Sequence, residues 1–271
     1  DGIGRAMEIR RLLRGRIDDD RLDRVIDEIA ARYDRDDPSV RYLDADNWLS
    51  TPLVLDEELF VKVISKQNSL VHALITTGRN LGVFSTGTEG FFEHFGTPYG
   101  MAKHELDATE QIRSIGLNAP EPLEALEVDG LGVVVLEYLP EFRALDELDR
   151  ETERELAPEL FAALRTMHDH GLAHGDLRAE NVLILDGDLY FIDATNVGSA
   201  NREDARSYDA ACGLAALEPL IGAAATVDAA ATAYTTAELL AARDFLDFVN
   251  IRPDHGFDAA ALKGEIEKRA A

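Results

Sequence analysis

Apolar residues recur at helical spacing between positions 3 and 35, with Ile9, Leu12, Leu13 and Ile17 on one stripe and Leu22, Val25, Ile26 and Ile29 on the next. The acidic run Asp18, Asp19, Asp20 between them predicts an N-cap for the second of two helices. From Ser39 the period changes. Short runs, VRYL, WLSTPLVL and LFVKVI, are separated by the turn-like DADN and DEE, which predicts three successive antiparallel strands. From Ser65 to about Gly100 no period is clear, and Gly78, Gly82, Gly87, Gly90, Gly96 and Gly100 punctuate an aromatic-rich stretch whose later part reads as a long loop. Helical spacing returns over 101–115, NAPEPL reads as a Pro-punctuated connection, and LGVVVLEYL as a strong strand. A long helix over 151–170 follows, then two short strands, VLIL and LYFID, joined by a DGD hairpin turn. Helices are expected over about 203–221, 227–250 and 258–270. Strands thus gather in the first half and helices in the second. The pattern predicts an α+β protein of two lobes: a helical extension over 1–38, an N-terminal lobe over 39–140 that carries the loop 66–100, and a C-terminal lobe over 141–271.

Composition narrows the class. With 46% hydrophobic and 29% charged residues the 271-residue chain is globular rather than disordered. No apolar run approaches the roughly 20 residues that span a bilayer, and the first residues lack the apolar core of a signal peptide, so a soluble cytoplasmic protein with no membrane partner is expected. Cys212 lies in the apolar stretch YDAACGLAALEPL and is expected to be a buried thiol. The net charge of −25, from 52 Asp plus Glu against 27 Lys plus Arg, repels nucleic acid over most of the surface. Residues 1–16 are the local exception, with five arginines against Asp1 and Glu8, where a solvated helix face is expected ahead of an RNA or partner contact. The acid excess, together with only five lysines, resembles proteins of salt-accumulating, halophilic organisms, where a Debye length of about 3 Å damps self-repulsion.

The candidate chemistry is phosphoryl transfer. HGDLRAENVLIL, at 174–185, matches the HxDxxxxN catalytic-loop pattern of protein kinases. Such a reaction needs a cation on nucleotide phosphates, oxygen ligands for magnesium and a carboxylate near the incoming hydroxyl. Asp176 is the candidate for that carboxylate and Asn181, five residues on, for a neutral metal ligand. Asp193 ends an apolar strand twelve residues later and is the second candidate metal ligand. Lys62 stands inside the apolar LFVKVI and needs an anion to stay charged there. Glu105 on the next helix is the expected partner, ahead of Glu110, and ATP phosphates the expected ligand. Backbone groups of Glu137 to Leu139 are placed to meet an adenine edge, with Leu183 beneath the ring. His174 is expected to hold the loop by hydrogen bonds from a packed ring rather than to take part in chemistry. The remaining histidines show no HxxxH or HExxH spacing, so no zinc site is expected.

Taken in order, VKV with Lys62, HELDATEQIRSIGLNAPEPL, VVVLEYL, HGDLRAEN and YFIDATN resemble the RIO-type atypical protein kinases over about residues 39–220. That resemblance implies a bilobal kinase-like fold with a reduced C-lobe and an ATP- and magnesium-dependent Ser/Thr kinase or ATPase. It implies a protein substrate or the chain itself as acceptor, and a link to pre-ribosomal particles. The HGD form also occurs in aminoglycoside phosphotransferases, so a small-molecule phosphotransferase is the alternative, with a catalytically silent kinase-like scaffold as another. Only sixteen positions separate Asp193 from Asp209, and no APE triplet follows, so a conventional activation segment does not fit. One departure stands out. Where the family carries a Gly- and Ser-containing phosphate loop, this chain has LDADNWLSTP, whose Asp44 and Asp46 would repel phosphate and which leaves Asn47 and Ser50 as the candidate phosphate contacts.

Overall fold

The computed structural model describes residues 17–43, 50–66, 97–194, 203–251 and 256–271. The first expected helix and most of the loop 66–100 lie outside the described residues. The chain forms two compact units: one holds the described residues up to 66 with 97–107 and 120–140, the other 108–119 and the described residues from 141 onward.

The first unit is built on a five-stranded antiparallel sheet of β1 (Val40–Tyr42), β2 (Thr51–Leu55), β3 (Leu59–Ile64), β4 (Pro122–Val128) and β5 (Leu131–Glu137), in the order β1-β2-β3-β5-β4. Period-two alternation assigns the two faces. Leu59, Val61 and Val63 join a core with Leu22, Val25 and Ile29 of α1 (Asp19–Arg32). Phe60 and Ile64 pack instead with Ala102 and Leu106 of α2 (Pro98–Ser114). Lys62 shares the parity of this second set. Burying each Leu, Ile or Val of the first face contributes about 1.5–3 kcal/mol, which is what holds α1 on the sheet. Asp18 occupies the N-cap of α1, but its side chain caps nothing. The acidic run was read as a cap because Asp is a good one; here Arg21 and Arg24 tie the helix down instead, at 3.1 and 2.7 Å from Asp129 in the β4–β5 turn.

Gly132 on β5 shows how tightly α2 starts. A Cβ there would lie 2.0 Å from the Pro98 carbonyl oxygen, so only glycine lets the strand and helix approach this closely. β4 is a strand where the sequence reads as connection: Pro120 and Pro122 break the apparent period, and a register shift between Pro122 and Glu124 breaks the alternation further.

In the second unit, β6 (Arg143–Ala144), β7 (Val182–Leu185) and β8 (Asp188–Phe191) form a small antiparallel sheet. The core around it is helical: α3 (Arg150–Asp169), α4 (Glu203–Ile221), α5 (Ala223–Ala230), α6 (Thr236–Arg243), α7 (Leu246–Asn250) and α8 (Ala259–Ala270). α3 and α4 meet at Gly213, whose missing side chain makes room for Leu164 and Phe161. The single helix expected over 227–250 is three. Thr232 turns its hydroxyl back to the Ala229 carbonyl, and a capping box between Thr235 and Glu238 starts α6 afresh. Cys212 is buried. No helix among the described residues is long and apolar enough to cross a membrane.

Candidate functional site

In the first unit the structure brings Lys62 and Glu105 together. The ammonium lies 3.0 Å from Oε2 and 3.1 Å from Oε1, with the two side chains 9% and 13% exposed. β3 delivers Lys62 between Pro52 and Val134 of the neighbouring strands, so its long stem crosses an apolar sheet face and its charge meets the carboxylate on α2. Glu110, the second choice for this partner, lies further along α2 and makes no ion pair with Lys62.

In the second unit the loop 174–181 ends in a short turn, Ala179–Asn181, and runs directly into β7. The Asn181 side-chain N–H donates to the Asp176 carbonyl at 2.9 Å, which closes the loop on itself and turns Oδ1 the other way. The Ile192 N–H donates to the Asn181 carbonyl at 3.1 Å, so Asp193 sits one residue beyond a direct tie to Asn181. Asp193 leaves β8 in the left-handed region, with φ of 59°. Asp tolerates that conformation better than most residues, and such backbone settings gather at functional sites.

Beneath this loop lies a fully buried carboxylate to which the sequence reading gave no role. Asp209, on α4, accepts the backbone N–H groups of His174 and Gly175 at 2.9 and 2.8 Å and pairs with His168 Nε2 at 3.0 Å. Burial opposes its charge, but His168 and those amides outweigh burial and hold its carboxyl below the usual carboxylate range. The far side of His168 meets the Tyr234 hydroxyl, 3.0 Å from Nδ1. Since an ionised carboxylate only accepts, His168 donates from Nε2, and the hydroxyl of Tyr234, whose own pKa burial pushes well above its ordinary value, keeps its proton and donates to Nδ1. A lone Asp in the apolar run SYDAACGLAAL carries the same signal as Lys62 in LFVKVI, so it was there to be found.

His174 corrects an expectation. Neither ring nitrogen has a hydrogen-bond partner among the described residues; only its backbone N–H holds the loop. The ring packs edge-on against Phe191 with centroids 6.2 Å apart. Burial pushes its pKa down against the pull of Asp209, Asp176 and Asp193, and the Ile192 backbone adds to that pull without reaching hydrogen-bond geometry.

Of the remaining candidates, the N–H groups of Glu137 and Tyr138 already donate to the Glu121 and Glu58 carbonyls at 2.9 and 2.8 Å. An adenine edge would thus be left with the Leu139 N–H. Leu183 is buried on β7 in the second unit. Ser50 starts the approach to β2, and its buried hydroxyl has no partner among the described residues. Asn47 lies outside the described residues. Among the described residues no group of three or more His, Cys, Asp or Glu could hold a metal ion. An amide oxygen and a carboxylate are the hard donors magnesium accepts, and the shortfall is what nucleotide phosphates complete. Within the second unit the donor set suits magnesium, and within the first unit the Ser50 hydroxyl and the Lys62 ammonium are of the kind that suits an anion.

Comparison with known proteins agrees with these motifs. Residues 97–208 match the family model of the RIO domain. The chain is 31% identical over 93 residues to the KEOPS complex subunit Bud32 of Pyrococcus abyssi, a stretch covering 33% of this chain and 41% of that protein. It is 32% identical over 91 residues to a probable bifunctional tRNA threonylcarbamoyladenosine biosynthesis protein of Methanothermobacter thermautotrophicus, covering 34% of this chain and 16% of that one. The match therefore spans under half the length of either relative. Among solved structures, the PknI kinase domain of Mycobacterium tuberculosis is 14% identical, covering 86% of this chain and 96% of that one with a TM-score of 0.44.

Proposed function

We propose that the chain, whose residues 97–208 match the RIO domain, is an atypical kinase-like protein of the RIO type that transfers the terminal phosphoryl group of magnesium-bound ATP to an oxygen nucleophile. The nucleophile is a serine or threonine hydroxyl of a protein, of the chain itself, or water. The observation that carries this reading is the loop that presents Asp176: pinned from below by buried Asp209 and closed by Asn181, it is a rigid mount for one carboxylate.

In this reading Lys62 neutralises phosphate charge and Glu105 keeps its ammonium in place. Asn181 Oδ1 and Asp193 would hold magnesium, which supplies charge neutralisation on the phosphates when bound. Asp176 orients the incoming hydroxyl and takes its proton. Ser50 and the Leu139 N–H supply polar contacts to phosphate and adenine. Asp176→Asn and Asp193→Asn are each expected to lower turnover of labelled ATP in molar KCl by about 10² or more, as removal of a proton acceptor or metal ligand does. Near-native turnover in both variants would end the assignment.

The relatives' names favour a partner of one kind. A multi-subunit assembly such as the complex named for Bud32 fits better than a pre-ribosomal particle, which only the family resemblance suggests. Isolation of a tagged chain in high salt followed by native mass spectrometry is expected to show added protein subunits; ribosomal proteins in their place would reverse that preference. The glycine-free segment 44–49 favours a silent scaffold instead, and wild-type protein that gives no magnesium-dependent heat with ATP would install that reading.

A further inference from the structure

Within the first unit, α1 presents two different flanks to the two edges of its sheet. Toward β4, Arg21 and Arg24 meet Asp129 beyond one end of the strand and Arg32 meets Glu124 further back along it, so the helix runs lengthwise beside the strands. On the opposite flank Asp19, Asp23 and Asp27 follow one another at i, i+4. All three are exposed, and their side chains form no ion pair or hydrogen bond among the described residues. That flank overlooks β1, where burial and the charges of Asp23 and Asp19 push the Tyr42 phenol up.

The edge strands differ in the same sense. β4 is guarded against further pairing by Pro122, by the register shift between Pro122 and Glu124, and by its glutamates. β1 is guarded by its three-residue length. The Asp56 N–H donates to the Ser39 carbonyl at 3.0 Å and the Leu43 N–H to the Pro52 carbonyl at 3.1 Å, so residues of that parity face β2. The N–H and C=O groups of Val40 and Tyr42 therefore point out of the sheet. Their side chains stand on the α1 face, opposite Leu55 and Leu53, and are 37% and 52% exposed. Arg41, on the other face, is taken up by Glu57 and the Tyr138 hydroxyl.

We propose that the outer edge of β1 takes a further strand from a protein partner, an extended segment whose α1-facing side chains are arginine or lysine. Two residues of strand advance about 6.6 Å and four of helix about 6 Å, so cations at every second position keep step with Asp19, Asp23 and Asp27. Their apolar stems lie over Val40 and Tyr42, whose ring also attracts a cation, while the outward backbone groups supply the pairing. A second copy of this chain fits poorly, because it brings its own acidic row to the same edge. Strand addition here needs no nucleotide, so it stands apart from the phosphoryl-transfer reading.

The probe is a short synthetic peptide of alternating arginine and valine, titrated into the full chain in molar KCl, which screens unspecific attraction to an acidic protein. It is expected to bind saturably and to slow amide hydrogen exchange at Val40 and Tyr42 by about tenfold or more, a readout that needs no variant. Val40→Pro removes an outward N–H and leaves the β1–β2 bonds in place, so it should weaken the peptide about tenfold or more, as should Asp19→Asn, Asp23→Asn and Asp27→Asn together. The charge-matched control Glu151→Gln, Glu155→Gln and Glu159→Gln, on the exposed face of α3, should stay within about twofold of wild type. Equal weakening in the control, no slowing at Val40 and Tyr42, or equal binding of the peptide with glutamate in place of arginine overturns the inference. So does protection of those two amides in the free protein: independent of protein concentration it assigns the edge to the chain's own segments, and rising with concentration to a second copy.

Discussion

Two buried charges, Lys62 and Asp209, are handled in opposite ways. Lys62 sits in an apolar strand and meets Glu105, yet both side chains keep some exposure, 9% and 13%. Asp209 keeps none and receives two backbone amides and an imidazole, itself backed by Tyr234. A charge sealed among donors holds a frame in place; a charge still reached by solvent can be reached by a ligand. On the proposed function, the first unit would carry a charge for binding and the second a charge for positioning.

The largest expected effect tests that division. Asp209→Ala strands three donors in the interior and should cost about 3–5 kcal/mol, as breaking a buried ion pair does. Lys62→Met keeps the apolar stem and leaves Glu105, 13% exposed, with partial access to water, so it should cost less, about 1–3 kcal/mol. Equilibrium urea unfolding in molar KCl measures both, and equal costs would erase the distinction.

That difference also marks where the sequence was legible. Strands β1 to β3, helix α3 and the β7–β8 hairpin follow from periodicity because one face of each is uniformly apolar. β4 escaped because two prolines and half-exposed residues hide its alternation, and the break at Thr232–Thr235 escaped because alanine-rich flanks read as continuous helix. Lys62 was singled out as an unlikely charge in a strand. Asp209 was not, because it falls inside a helix expected over about 203–221, where a single Asp reads as part of a polar face until the helix is seen to be buried on nearly every side. The six positions 44–49 lie outside the described residues, so the phosphate contact expected of Asn47 stays a matter of sequence.

Acid sharpens the comparison next. Asp209 is held below its ordinary range, so it adds stability above the unfolded carboxylate pKa that is lost as pH falls through the folded value. His174 is held neutral by burial, so below about pH 6.5 the unfolded chain binds a proton that the native chain refuses. Both signs agree. Stability of the native protein should fall by up to about 1.4 kcal/mol per pH unit between pH 6 and 5, with His174→Phe removing that slope. A slope unchanged in His174→Phe would place the titration elsewhere.

The smallest effect concerns the outer end of the Asp209 network. Tyr234→Phe deletes one hydrogen bond to His168 and should cost about 1 kcal/mol in urea unfolding. Its nitrogen-15 spectrum should show the His168 Nδ1 resonance shifting as that nitrogen loses its donor, while Asp209 keeps the proton on Nε2. An Nδ1 resonance unchanged from wild type would detach Tyr234 from the positioning role.

The most direct test of the whole account is calorimetric titration of wild type and Lys62→Met with ATP and magnesium in molar KCl. The account predicts saturable, magnesium-dependent, one-to-one binding that weakens at least about tenfold in the variant, the worth of one charge-assisted contact to phosphate. Absence of magnesium-dependent binding in wild type, or equal affinity in both proteins, would contradict it.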